Sequence, residues 1–175
     1  MLEYSTIQEQ LSAKFAEAVK DFTEPYGFLT FEVDRNKLVD VMQYLRDNET
    51  MRFNFLTTLC GVHYPDNEVE RQFAVVYHMH NWIDNVRIRI KVFLNGQNPE
   101  VETATSLFES ANWQERETYD FYGIIFTGHP DLKRILNMDE MVSFPMRKEF
   151  PLEDADRTDK DDRYFGRIPQ NTNMN

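Results

Sequence analysis

A single cysteine, Cys60, stands among 175 residues, and that scarcity removes several classes of protein at once. An intramolecular disulfide, a four-thiolate iron–sulfur cage and a zinc ribbon all need more thiols than this chain has. Glycine is also scarce, six residues without a G-x-x-x-x-G-K or G-x-G-x-x-G spacing, so a phosphate-cradling loop formed by this chain alone is not expected. Positive charge is in deficit: 19 Lys and Arg face 30 Asp and Glu, a formal net charge of −11. Nucleic acid and anionic membrane surfaces are therefore disfavoured partners, because both are held by basic faces. No apolar run reaches the roughly 20 residues that span a bilayer, and residues 1–20 form a charged amphipathic pattern rather than a signal peptide. The composition points to a cytoplasmic protein, soluble or peripheral through a protein partner. Cys60 itself ends the apolar run "RFNFLTTLC" and reads as a small buried hydrophobe without a role.

What is present is enough for one domain with a core. Ser5 and Gln8 have capping-box spacing, and Ile7, Leu11, Phe15, Val19 and Phe22 follow at helical intervals. "FLTFEV" (28–33) alternates like a strand, and Asp34 is placed to cap a second helix whose Leu38, Val41, Met42 and Leu45 share a face. Three strands are expected next, from Arg52, Arg71 and Val86, joined by turns at Pro65–Asn67 and Asn81–Asn85. In the last of them Val86, Ile88, Ile90, Val92 and Leu94 face one way and Arg87, Arg89 and Lys91 the other. A short helix is expected around Thr103–Ser110, then a longer one opened by Asn112 with Glu115. The fold class is α+β: a mostly antiparallel sheet with helices packed on one face, followed by an extended C-terminal arm.

Three groups of residues invite a chemical reading. His78 and His80 lie two apart on a strand and share a face, but no third ligand is evident, so surface or interface histidines, with His63 and His129, are preferred to a metal site. The acidic stretch "EDADRTDKDDR" (153–163) lacks the glycine and final glutamate of a calcium loop and reads as a solvated segment. The third group is "WQERETYDFYGIIFTGHPDLKRIL" (113–136). Helical projection places Trp113, Arg116, Glu117 and Asp120 on one side, and Glu115, Tyr119 and Tyr122 on the other. Arg116 can pair with Asp120 at four residues' distance, while Glu117 and Asp120 repel unless a cation such as Arg134, Arg147, Lys148 or a residue of another chain comes between them. An acid–base enzyme built on Glu117, Asp120 and His129 would want two acids held across a cleft by different elements. Aromatics and arginines with register-setting charges instead suit a subunit interface, which is the preferred reading.

The same residues carry a resemblance. Glu115-Arg116-Glu117, Asp120 followed by two hydrophobic residues, Gly123, Phe126, His129-Pro130 and Arg134-Ile135-Leu136 resemble the signature of the 30 kDa subunit family of NADH-quinone oxidoreductase, respiratory complex I. "FPMRKEFPL" (144–152) is similar to the family's downstream run, with Phe144 where a histidine is usual and Pro145, Arg147, Lys148 and Pro151-Leu152 in place. The match upstream, including "YHM" at Tyr77–Met79, is looser.

The resemblance implies an α+β domain over residues 1–144 and a docking arm over 145–175, in a non-catalytic assembly subunit of the hydrophilic arm. It implies no cofactor in this chain, with FMN and iron–sulfur clusters in partner subunits that carry electrons from NADH to quinone, coupled to proton translocation. The implied partner is the large 49 kDa-type subunit, with other subunits of the hydrophilic arm, and the implied place is the cytoplasmic side of the cell membrane, as a peripheral protein. Trp113, Glu115, Arg116, Glu117, Asp120, His129, Arg134, Arg147 and Lys148 become the expected partner contacts. The nearest alternative is the homologous subunit of a related membrane-bound hydrogenase or of a complex fed by another donor.

Overall fold

The computed structural model describes residues 2–150; the acidic stretch 153–163 and the expected docking arm from Pro151 to Asn175 lie outside the described residues. Helix α1 (Tyr4–Phe15) buries Ile7 and Leu11. It is shorter than the helical pattern predicted, because Ala16 adopts φ 44° and the chain turns into strand β1 (Val19–Thr23). Val19 thus pairs with Val33 across a strand ladder instead of extending a helix. The Ser5–Gln8 box is absent, and Ser5 bonds Glu3. Strand β2 (Leu29–Val33) is followed by the Asp34 cap, whose carboxylate accepts from the Asn36 N–H at 2.8 Å and leads through a turn of 3-10 helix into α2 (Leu38–Asp47). The four apolar residues of α2 expected to share a face are all buried. Full burial of such a side chain contributes about 1.5–3 kcal/mol.

Strands β3 (Phe55–His63), β4 (Phe73–Asn81) and β5 (Val86–Leu94) form the expected meander, with β3 and β4 starting two or three residues later than predicted. The hairpin between β4 and β5 is set by Asn81, whose side-chain oxygen accepts from the N–H groups of Ile83 and Asp84. The sheet order is β1-β2-β5-β4-β3, antiparallel except for β2 beside β5. That parallel pair arises because α2 and the β3–β4 hairpin intervene between the two strands, so the chain returns in the same direction. Two very short strands, β6 (Glu100–Glu102) and β7 (Ile125–Thr127), pair in parallel beside it. The segment 103–110 is a run of turns and not the expected helix.

One sheet face, carrying Phe31, Val75, Tyr77, Ile88, Ile90 and Val92, joins the apolar faces of α1 and α2 in a single core. Helix α3 (Ala111–Tyr122) packs on edge strand β3. A Cβ on Gly61 would lie 2.7 Å from the Tyr122 ring and 2.9 Å from Thr118, so glycine is what lets the helix approach. The outer edge of β3 is capped: Gln114 accepts from the Leu59 N–H, Ser110 donates to the Leu56 carbonyl, and the Lys148 N–H reaches the His63 ring at 3.0 Å. Two of the edge groups that would invite another strand, the Leu59 N–H and the Leu56 carbonyl, are thereby occupied. Cys60, expected to be buried, is exposed because it points away from the core face; the groups crowding its thiol still raise its pKa.

Candidate functional site

Helix α3 begins at Ala111 with Ser110 at its cap position and no side-chain cap, so Asn112 and Glu115 do not form the expected box. Glu115 turns inward instead, fully buried. Its oxygens accept from the Thr103 hydroxyl at 2.5 Å and the Ala104 N–H at 2.7 Å, which fastens the 103–110 turns to the helix. Burial pushes the Glu115 carboxyl up to about 7, against the lowering by those two donors. The Tyr77 hydroxyl, also buried, lacks a hydrogen-bond partner among the described residues, and burial followed by the Glu115 charge holds its titration well above the usual tyrosine range. His129 sits 4.0 Å from Glu115 and is oriented by two bonds: the Asp131 N–H donates to Nδ1, and Nε2 donates to the Asn112 carbonyl.

Five residues along the same helix, Asp120 is equally buried but differently supplied. One oxygen accepts from the N–H groups of Ile135, Leu136 and Asn137. The other accepts from the Arg134 guanidinium at 2.7 Å and the Asn137 amide at 3.0 Å. Burial would raise this carboxyl; the Asn137 and Leu136 N–H groups with the Arg134 and Asn137 side chains outweigh it and hold the group well below the ordinary carboxylate range. The cation required beside Asp120 is therefore Arg134, from the same chain. Arg116 does not pair with Asp120 as its spacing allowed: it donates to the carbonyls of Lys133 and Arg134 and lies over the Trp113 ring.

These contacts fix residues 128–150, which contain no helix or strand. Arg134 also donates to the carbonyls of Met141 and Ser143, and Arg147 to that of Tyr122. Gly123 ends α3 at φ 72°, and a Cβ there would lie 2.6 Å from Phe144 and 2.7 Å from Arg147. Phe144, in the position where the resemblance leads one to expect histidine, lies between the Arg134 and Arg147 guanidiniums at 5.1 and 4.7 Å, edge-on to Tyr119. Arginine heads directed at carbonyls thus replace the backbone ladder that irregular chain lacks.

Of the nine residues predicted to meet a partner, Glu115, Arg116, Asp120, His129, Arg134 and Arg147 make polar contacts inside the chain. Trp113, Glu117 and Lys148 are exposed, and Arg116 is half-buried. Among the described residues no hydrogen bond or ion pair joins Glu117, Asp120 and His129. The sequence pattern passed over the exposed apolar residues of the irregular segment: Leu136, Met138, Val142, Met146 and Phe150, with Val142 94% exposed. Their signal was an apolar residue recurring through a stretch without helical or strand periodicity. The histidines expected at the surface are mostly enclosed. His63 stacks on Phe73 and His80 bonds Asn85, both buried, while His78 receives the Arg89 guanidinium.

Comparison with known proteins follows the same residues. The family described as "Respiratory-chain NADH dehydrogenase, 30 Kd subunit" matches residues 31–156. The chain is 41% identical over 170 residues to a subunit of NADH-quinone oxidoreductase from Roseiflexus sp. (strain RS-1), covering 96% of this chain and 97% of the relative. The like-named subunit from Citrifermentans bemidjiense is 39% identical over 168 residues, covering 96% and 99%. Among solved structures, the trypsin-resistant fragment (1–134) of Nqo5 superposes with a TM-score of 0.61 at 33% identity, covering 73% of this chain and 98% of the fragment. A chain of the membrane-bound sulfane sulfur reductase, an archaeal respiratory membrane complex, shares the fold at a TM-score of 0.72 and 22% identity, covering 90% and 95%. With the 115–136 signature folded into one buried frame and relatives matched over nearly their whole length, the chain belongs to the 30 kDa subunit family of respiratory-chain NADH dehydrogenase.

Proposed function

We propose that this chain is a structural subunit of a membrane-bound NADH-quinone oxidoreductase, docking on the large 49 kDa-type subunit on the cytoplasmic side of the membrane. The observation that carries the docking role is the division of labour in residues 113–150. Asp120, Arg134 and Arg147 turn inward and lock an irregular segment, while Trp113, Leu136, Met138, Val142 and Met146 remain exposed. A rigid segment presenting apolar side chains is what an obligate interface uses. The arm over 145–175 would continue that contact. No helix among the described residues is long and apolar enough to cross a membrane, which suits attachment through partners.

FMN and iron–sulfur clusters would reside in partner subunits, because one cysteine cannot build a cluster cage and no three His, Cys, Asp or Glu side chains among the described residues are grouped to hold a metal. Asp120 serves as a fixed anion: every donor around it stabilises its charged form, which is unsuited to proton transfer near neutral pH. This geometry disfavours the acid–base enzyme of Glu117, Asp120 and His129.

The test is Met138→Asp with Val142→Asp, both on exposed side chains. The assembled complex recovered from membranes should fall severalfold, while NADH-to-quinone turnover per assembled complex stays within a factor of two of the parent. Full assembly with lost turnover would refute docking. A second reading, a complex fed by another donor, has the shared fold of the sulfane sulfur reductase chain behind it. Co-purified partners would decide: a flavin-bearing NADH subunit supports the first, its absence with a different donor protein the second.

A further inference from the structure

The five-stranded sheet has a second face that no helix among the described residues covers. Lys20, Thr30, Glu32, Ala74, Val76, His78, Arg87, Arg89, Lys91 and Phe93 alternate with the core residues and point to that side. In a chain of formal net charge −11 the β5 row of this face, Arg87, Arg89 and Lys91, is basic, while its Lys20 and Phe93 end meets the acids Glu17, Asp34 and Glu70. Its one acid in the strand ladder, Glu32, is neutralised by a two-pronged pair with Arg71 at 2.7 and 3.1 Å. Lys20, Arg87, Arg89 and Lys91 have no ion pair among the described residues; Arg89 instead donates to His78 Nε2 at 2.9 Å. That bond places the imidazole proton on Nδ1, a buried donor that finds no acceptor among the described residues.

The row ends in aromatics. Beside Arg87, His80 supports the Trp82 ring at 4.7 Å, and Phe55 meets it edge-on at 5.3 Å. Trp82 is 62% exposed and its neighbour Ile83 68%. An exposed tryptophan in the β4–β5 turn near an arginine row is the composition that concentrates binding energy at protein interfaces. Arg87, Arg89 and Lys91 repeat at alternate positions of one strand, about 6.7 Å apart, the spacing at which alternate side chains of a second extended chain recur.

We infer that this helix-free face is a second docking surface, which takes an extended acidic polypeptide segment carrying an apolar side chain at its Trp82 end. Carboxylates of that segment lie against Arg87, Arg89 and Lys91, and the apolar residue lies on Trp82 and Phe55. A long polyanion is a poorer fit, because the strong negative charge of the rest of the chain repels it beyond this short row. The surface is separate from residues 113–150. The inference rests on the proposed complex only for the source of its occupant.

Lys91 is the amine in the middle of the row, so zero-length carbodiimide coupling reports a carboxylate held against it. The complex is purified through a tag on this chain, treated, and analysed by peptide mass spectrometry. The expected product is an amide between Lys91 and an Asp or Glu in an acidic stretch of another polypeptide, absent from Lys91→Arg. Arg87→Glu with Lys91→Glu, checked for an unchanged melting temperature, should lower retention of that polypeptide at moderate salt at least about tenfold. Coupling of Lys91 only to Glu32 or to a second copy of this chain, or no coupling while Lys148 reacts, overturns the inference, as does unchanged retention in the double variant. Failure of any other subunit to co-purify overturns the proposed complex as well, so the two failures are distinguishable.

Discussion

The two ends of α3 each bury a carboxylate completely, and they treat it in opposite ways. Glu115 has two donors, one of them a neutral hydroxyl, and its proton is held up to about 7. Asp120 has five donors, including a guanidinium, and is charged at any physiological pH. Burial is common to both, so the number and charge of donors decides the state of the group. The Glu115 end is consequently a titrating contact between helix, turns and sheet, while the Asp120 end is a permanent anchor for residues 128–150.

The strongest way to break the comparison is Asp120→Ala. It leaves Arg134 8% exposed without its counter-charge and three N–H groups without an acceptor, so unfolding free energy should drop by about 3–5 kcal/mol in urea titrations. A loss under about 1 kcal/mol would mean that the anchor is not rigid. Lower assembly in this variant would follow from folding alone, which is why exposed positions are the better test of docking.

Glu115→Gln should have the opposite sign. The folded chain keeps the Glu115 proton to about pH 7 whereas the unfolded carboxyl releases it near its usual 4.5, so this group makes stability fall as pH rises between those values. The amide removes that slope and is more stable than the parent at pH 8 by on the order of 2–3 kcal/mol. Asp120→Asn, by contrast, should leave the slope between pH 4.5 and 7 intact, because Asp120 contributes in full above its unfolded value of 3.8 and loses that contribution only in stronger acid. Denaturant titrations of both variants across that range separate the two carboxylates.

Gly123→Ala strains the anchor without touching its charges. A side chain at φ 72° costs about 1–2 kcal/mol, and displacing Phe144 and Arg147 adds to it, so thermal melting should be lower while the pH profile keeps its shape. The smallest change is expected from Phe144→His, under about 1 kcal/mol at pH 8 through weaker stacking with the guanidiniums. Below about pH 6.5 the loss should grow, since an imidazolium there faces two arginines.

Much of the fold was legible because it follows short-range rules. The alternation of β5 named its core face residue by residue, and the apolar stripe of α2 and the Asp34 cap are where the pattern placed them. The missed elements have identifiable causes. Val19 and Phe22 continue the spacing of α1, and only the backbone reversal at Ala16 and the pairing with β2 make them a strand. β6 and β7 are three residues each, too short for a period to show, and exist because their segments are brought side by side.

At the candidate site the sequence by itself marked the family, through the spacing from Glu115 to Leu136, and singled out both carboxylates, Arg134 and His129 as candidates. It also determined that Asp120 required a cation. Whether that cation came from this chain, and whether a charged residue faced a partner or its own backbone, was decided by the tertiary structure alone. The reason is physical. A carboxylate's state depends on donors within hydrogen-bond reach, and for Asp120 these arrive from residues 134–137, folded back over the helix, at positions no helical projection can place.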